Sequence, residues 1–96
     1  MKIVWSKIAA NQFYDFLKWI AEDSILQAER IESEIIKEID ELPKQPKRYP
    51  SDKFKLNNGG DFRAFEKYNI RISYRITITQ IQILRIRHVK QKPTNF

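Results

Sequence analysis

The sequence predicts an α+β domain in which a two-helix hairpin packs on one face of a small, mainly antiparallel four-stranded sheet. Three observations carry that expectation. Between Ile70 and His88, apolar and polar residues alternate with the period of a strand. Between Lys7 and Leu42, apolar residues recur at the three- and four-residue spacing of helices. Lys2–Trp5 is short and β-prone, and the helical region separates it from the other strands. The order is β-α-α-β-β-β.

Each element has its own reason. Lys2–Trp5 (KIVW) ends at Ser6, a residue type that caps helices. Ala9, Phe13, Phe16, Leu17 and Ile20 then form the buried stripe of a helix over Lys7–Ile20. Ala21-Glu22-Asp23 reads as a short break. Ser24 with Gln27 matches a capping box and starts a second helix. Its stripe is Ala28, Ile31, Ile35, Ile39 and Leu42, and it should stop near Pro43. A short break between amphipathic helices gives an antiparallel pair. Pro43–Gly60 is rich in proline, glycine and basic residues and reads as a surface loop. Asp61–Phe65 (DFRAF) is the next strand, and Glu66–Asn69 turns into the main hairpin.

In that hairpin Ile70, Ile72, Tyr74 and Ile76 alternate with Arg71, Ser73, Arg75 and Thr77, and isoleucine favours strand. The turn falls around Ile78–Gln80. Two registers are open, pairing Tyr74 with Ile83 or Arg85, and Arg71 with Ile86 or His88. Both put Arg71 and His88 on one face. The first strand should lie parallel beside the last, reached by the helical crossover.

At 96 residues the chain is expected to be one domain, 1–96, with one modest core. It has no cysteine, which removes disulfides, thiolate nucleophiles and sulfur-rich metal sites. No apolar run reaches membrane-spanning length and no signal-peptide pattern opens the chain, so a cytoplasmic location and no membrane partner are expected. The net charge of +6 is unevenly placed. Met1–Leu42 has five Lys+Arg against nine Asp+Glu; Pro43–Phe96 has thirteen against three. A basic half of this kind suits a polyanion or an acidic protein.

Helices covering the isoleucine face would leave Arg71, Arg75 and His88 uncovered, joined by Arg63. Lys53 and Lys55 from the loop, and Lys90 and Lys92 from the tail, would line the rim. Arginines bind phosphates and stabilise charge developing at phosphorus. His88 is the one side chain with an unperturbed pKa near neutrality. Such a set suits metal-free phosphodiester cleavage in which the RNA 2′-hydroxyl attacks. No metal or other cofactor is expected: a lone His lacks paired acidic ligands. The bland alternative is a structural histidine on the wet face of a sheet.

The element order, FRAF followed by IRISYRI, QIQILRIRH and the basic tail together resemble the RelE/ParE superfamily of bacterial toxins. The resemblance covers nearly the whole chain. It implies the toxin of a type II toxin–antitoxin module, a plasmid-stabilisation class of protein, neutralised by a cognate antitoxin. RelE-like members cleave mRNA on the ribosome; ParE-like members inhibit DNA gyrase and are not nucleases. Arg71, three residues before Tyr74, matches the catalytic arginine of the nuclease branch. His88 matches a histidine of the YoeB-type branch, although ParE-like toxins also carry one near this strand end. Arg63 matches the first of two basic positions in the second strand, and Phe65 replaces the other. Asp52 falls near the place of the YoeB-type general base. The tail arginine and terminal tyrosine of the nucleases have no match; Gln91 and Phe96 stand nearby. On Arg71, the resemblance favours a ribosome-dependent mRNA endoribonuclease with catalytic Arg71, His88 and Arg63. Lys53, Lys55, Arg75, Lys90 and Lys92 would hold nucleic acid. The alternatives are a gyrase inhibitor and an inactive binding module of the same fold.

Overall fold

The computed structural model describes residues 1–91 and 95–96. The elements are β1 (Lys2–Trp5), α1 (Lys7–Asp23), α2 (Ile25–Asp40), β2 (Phe62–Lys67), β3 (Ile70–Ile76) and β4 (Gln80–His88). The sheet order is β1-β4-β3-β2. β1 runs parallel to β4, and the other two ladders are antiparallel. The expected fold class and placement of the first strand are therefore what is observed.

Caps account for the helix ends. Ser6 Oγ accepts from the Ala9 amide at 3.0 Å, and Ser24 Oγ accepts from the Gln27 amide at 3.0 Å. The expected break at Ala21–Asp23 is not there: α1 continues to Asp23, and Ser24 alone separates the helices. Ser24 ends one helix and starts the next, because its amide donates to Ile20 O while its hydroxyl caps α2. α2 ends at Asp40, and a single 3₁₀ turn at Leu42–Lys44 follows, with Pro43 inside it.

The β2–β3 turn is Tyr68-Asn69, both at positive φ, between the paired Lys67 and Ile70. Positive φ at both central residues of a two-residue loop matches the right-handed strand twist. β2 itself starts at Phe62 and runs two residues beyond the expected Phe65.

The core lies between the helices and one face of the sheet. Ile35 of α2, Ile72 and Tyr74 of β3 and Ile81 and Ile83 of β4 belong to one apolar cluster, all at 0% exposure. Each such side chain contributes about 1.5–3 kcal/mol of burial. Tyr74 adds a hydrogen bond from its hydroxyl to Pro46 O at 2.8 Å. Burial pushes its phenol up to about 12, with Arg63 opposing, so it stays a neutral donor.

The hairpin register holds the main departure from expectation. Tyr74 pairs with Ile83, one of the two anticipated partners, but Ser73 pairs with Arg85. Leu84 is thus an extra residue in β4, a bulge. Arg71 accordingly faces Arg87, and His88 pairs with Ile70. Side-chain direction has period two, so one inserted residue exchanges the faces of everything beyond it. Two residues of the α1 side hold the bulge. Ser6 Oγ donates to Leu84 O at 2.9 Å, and Gln12 Oε1 accepts from the Ile86 amide at 2.7 Å.

Candidate functional site on the uncovered face

β3 presents Arg71, Ser73 and Arg75 to the side away from the helices, and β4 presents Arg85 and Arg87. The loop before β2 folds onto this side. It is fastened by Asp52 N–H to Phe62 O at 2.9 Å and Ala64 N–H to Pro50 O at 3.3 Å. The Asn58 side chain acts as its hub, donating to Phe62 O and accepting from the Gly60 and Phe62 amides.

Asp52 is carried by this loop into contact with Arg71, at 2.9 Å. Both are buried, at 2% and 8% exposure. Glu66, opposite Arg71 on β2, adds a second carboxylate at 3.1 Å. Burial on its own would raise the Asp52 carboxyl. The hydrogen bonds from Arg71 and the Phe54 amide, and the Arg71 charge, outweigh it and hold the group below its ordinary value. Arg71 is thus a guanidinium engaged by two carboxylates. Asp52 is a weak base held in its charged form.

Aromatic rings and cations interleave around this pair. Arg71 and Arg87 guanidinium carbons lie 4.8 and 5.1 Å from the Phe54 ring centre. Arg75 and Lys55 lie over Phe62 at 5.0 and 4.7 Å, and Arg85 lies over Phe96 at 4.5 Å. Arg75 also pairs with Asp61 at 2.9 Å. Arg87 is lowered from its usual value, first by burial and then by the charges of Arg71 and Arg85.

The expected site residues are distributed as follows. Arg71, Arg75, Lys53 and Lys55 reach the uncovered face, with Lys53 over Phe54 at 5.2 Å. His88 does not. It lies on the helix side, its ring edge-on to Trp19 at 6.4 Å, with Nδ1 accepting from the Lys90 amide at 3.1 Å. The expectation that Arg71 and His88 share a face is therefore corrected, and the Leu84 bulge is the reason. Lys90 follows His88 into a groove of about 700 Å³ that Gln12, Asp15, Phe16 and Trp19 also line.

Arg63 is also displaced from the expected site. It stands opposite Tyr74 and fastens the loop, donating to Gly60 O at 2.9 Å and Tyr49 O at 2.7 Å. Lys92 lies outside the described residues. Arg85, Arg87 and the rings of Phe54, Phe62 and Phe96 are on this face without being among the residues expected from the sequence. One signal was available for the arginines: apolar residues occupy 81 and 83, then 84 and 86, a change of phase within one strand. Among the described residues, no cluster of acidic or imidazole side chains is arranged to hold a metal ion.

A small α+β fold with one strongly cationic sheet face is the class that this geometry defines. The model of the family described as "ParE toxin of type II toxin-antitoxin system, parDE" matches residues 3–93. The chain belongs to that family, and so to the toxins whose partner is a cognate antitoxin. Among solved structures it is similar to "Chromosomal ParDE TA system from P. aeruginosa", with a TM-score of 0.70 and 18% identity. The match covers 92% of this chain and 95% of that one, and at this identity it speaks for the fold. No curated relative matches the sequence. Among the described residues, no helix is long and apolar enough to cross a membrane.

Proposed function

We propose that the chain is a growth-arresting toxin that acts on DNA gyrase, the target implied for ParE-like members, and does not cut RNA. The observation that carries this reading is the separation of Arg71 from His88. Metal-free cleavage needs a cation at phosphorus and a proton-transfer group on the same phosphodiester, within hydrogen-bond reach of the reacting oxygens. Here the sheet stands between them. Arg71 is moreover neutralised by Asp52 and Glu66, and Arg63 is spent on loop carbonyls. Family membership supports the same reading.

The ribosome-dependent endoribonuclease reading would require Arg71, His88 and Arg63 to converge, and no contact of theirs favours that. The test is expression without the antitoxin, with plasmid topology and full-length mRNA followed in one culture. Loss of supercoiling with intact mRNA is the expected result. Purified protein should likewise block supercoiling by gyrase. Rapid mRNA loss with unchanged topology would reverse the assignment, and uninterrupted growth would leave a binding module.

A further inference from the structure

β1 and β2 are the two edges of the sheet, and they are finished differently. The loop before β2 covers its edge: Ser51 bridges Arg63, and Pro50 O accepts from the Ala64 amide. β1 has no such cover. The Lys2 and Ser6 amides donate to Thr79 O and Ile83 O, at 3.1 and 2.9 Å. Main-chain groups alternate in direction along a strand, so Lys2, Val4 and Ser6 face β4. Ile3 and Trp5 therefore point their N–H and C=O groups outward. Among the described residues, no loop or bridge pairs with them. An open edge of this kind is a template for another strand.

The side chains narrow the choice of strand. β1 is KIVW, apolar except for Lys2 at its start. Ile3 and Trp5 are in register with Ile81 and Ile83 and so lie on the helix side, where Trp5 stacks on Phe13 at 5.5 Å. Lys2 and Val4 lie on the uncovered face. A groove of about 250 Å³ adjoins Trp5, lined by Phe13, Tyr14, Leu17 and Ile36. The edge thus offers main-chain pairing beside apolar surface, which suits a short apolar strand.

We propose that β1 pairs with β1 of a second copy of the chain, antiparallel and centred on Val4. That register sets Ile3 opposite the partner's Trp5, and the outward groups of the two exchange hydrogen bonds in both directions. A β-branched side chain then meets an aromatic one on the helix side, and Val4 meets the partner's Val4 on the other face, both favourable cross-strand pairs. Lys2 faces the partner's Ser6, so no like charges stand opposite one another. This self-complementarity about Val4 is what a two-fold contact requires, and it favours a second copy over an unrelated strand. The two-fold axis stands perpendicular to the sheet. The helices of both copies therefore fall on one side and both cationic faces on the other, in one continuous sheet. Two strand edges bury less than the roughly 1,600 Å² of a standard interface, so the dimer is weak and depends on concentration. The proposal stands apart from the gyrase reading.

The chain has no cysteine, so one introduced thiol reports one contact. Val4 and the partner's Val4 form a non-hydrogen-bonded pair, with Cα atoms about 4.5 Å apart and within reach of a disulfide. Val4→Cys in the purified full chain, oxidised with copper phenanthroline at micromolar concentration, should run as a covalent dimer on a non-reducing gel. Ser33→Cys, exposed on α2, should stay monomeric under the same conditions. Sedimentation velocity of the wild type should show monomer passing to dimer as concentration rises. Ile3→Pro removes an outward N–H that β4 does not use, so it should keep the circular dichroism and weaken association about tenfold or more. Val4→Lys sets like charges opposite one another and should weaken association to a similar degree, with partial recovery in salt. A wild type that stays monomeric, with Val4→Cys crosslinking no faster than Ser33→Cys, overturns the proposal and leaves the edge to a strand of another protein. A dimer that survives both Ile3→Pro and Val4→Lys also overturns it, by placing the contact elsewhere. Either result leaves the gyrase reading untouched.

Discussion

The two faces of the sheet are held by different forces. Toward the helices, Ile72, Tyr74, Ile81 and Ile83 are fully buried and held mostly by apolar contact. Such contact is non-directional and scales with the area removed from water. On the other face the buried side chains include Arg71, Asp52 and Ser73, and order depends on ion pairs, cation–ring contacts and loop hydrogen bonds. These are directional and fail together when one partner is removed. The first face supplies most of the stability. The second fixes where cationic groups point, by setting them against carboxylates and aromatic rings.

This division ranks the expected effects of substitution. The largest belong to the helix side. Ile83→Ala, at 0% exposure in the central strand, should cost about 3–4 kcal/mol, read from urea denaturation. Ile83→Val should cost only about 1 kcal/mol, since a single methylene is removed. Equal losses for the two would show that side to be loosely packed.

Next comes the ion pair. Asp52→Ala leaves Arg71 buried with only the half-exposed Glu66, and should cost about 3 kcal/mol. Glu66→Gln should cost less than about 1 kcal/mol, because its carboxylate stays largely in water. The pair also sets an acid response. The Asp52 carboxyl is lowered from its ordinary value near 3.8 in the folded protein. A lowered carboxyl contributes stability that is fully present above the unfolded value and is lost as pH falls through the folded one. Wild type should therefore lose stability as pH drops below about 4, and Asp52→Asn should be flatter across that interval. Parallel profiles would mean that other carboxylates dominate acid unfolding.

Most of the fold was legible because local signals and the global arrangement agree. Ser6 and Ser24 cap as their positions suggest, and the period-two run over Ile70–Ile76 marks the apolar face, although Arg71 and Ser73 on the other face are buried as well. The site was half legible. Arg71, Arg75, Lys53 and Lys55 follow from strand alternation and loop composition. His88 was placed on the wrong face, and Arg85 and Arg87 went unmarked, because alternation was carried through Leu84 without a break. The bulge is stabilised from outside the hairpin, by Ser6 and Gln12, more than seventy residues away in sequence. Only the Ile83-Leu84 doublet marks it locally. The role of Asp52 was hidden for a related reason. A residue in a basic, proline-rich loop is read as solvated, until main-chain pairing to β2 brings it under Arg71.

The smallest effect tests whether the uncovered face is one network or an island around Asp52. Arg75 and Asp61 form a pair at 2.9 Å, but both side chains are well exposed, at 46% and 38%. The hydrogen bond from Arg75 lowers the Asp61 carboxyl, while water and salt screen the charge. Asp61→Asn should thus move the urea midpoint less than Glu66→Gln does. Any shift should vanish near 1 M salt, where the Debye length is about 3 Å. A loss approaching that of Asp52→Ala, and persisting in salt, would show that Arg75 and Arg71 order one another through the intervening Phe62 and Phe54 rings. With the small effect expected, Arg71 and Arg75 are ordered separately, each by its own carboxylates, on a rigid sheet.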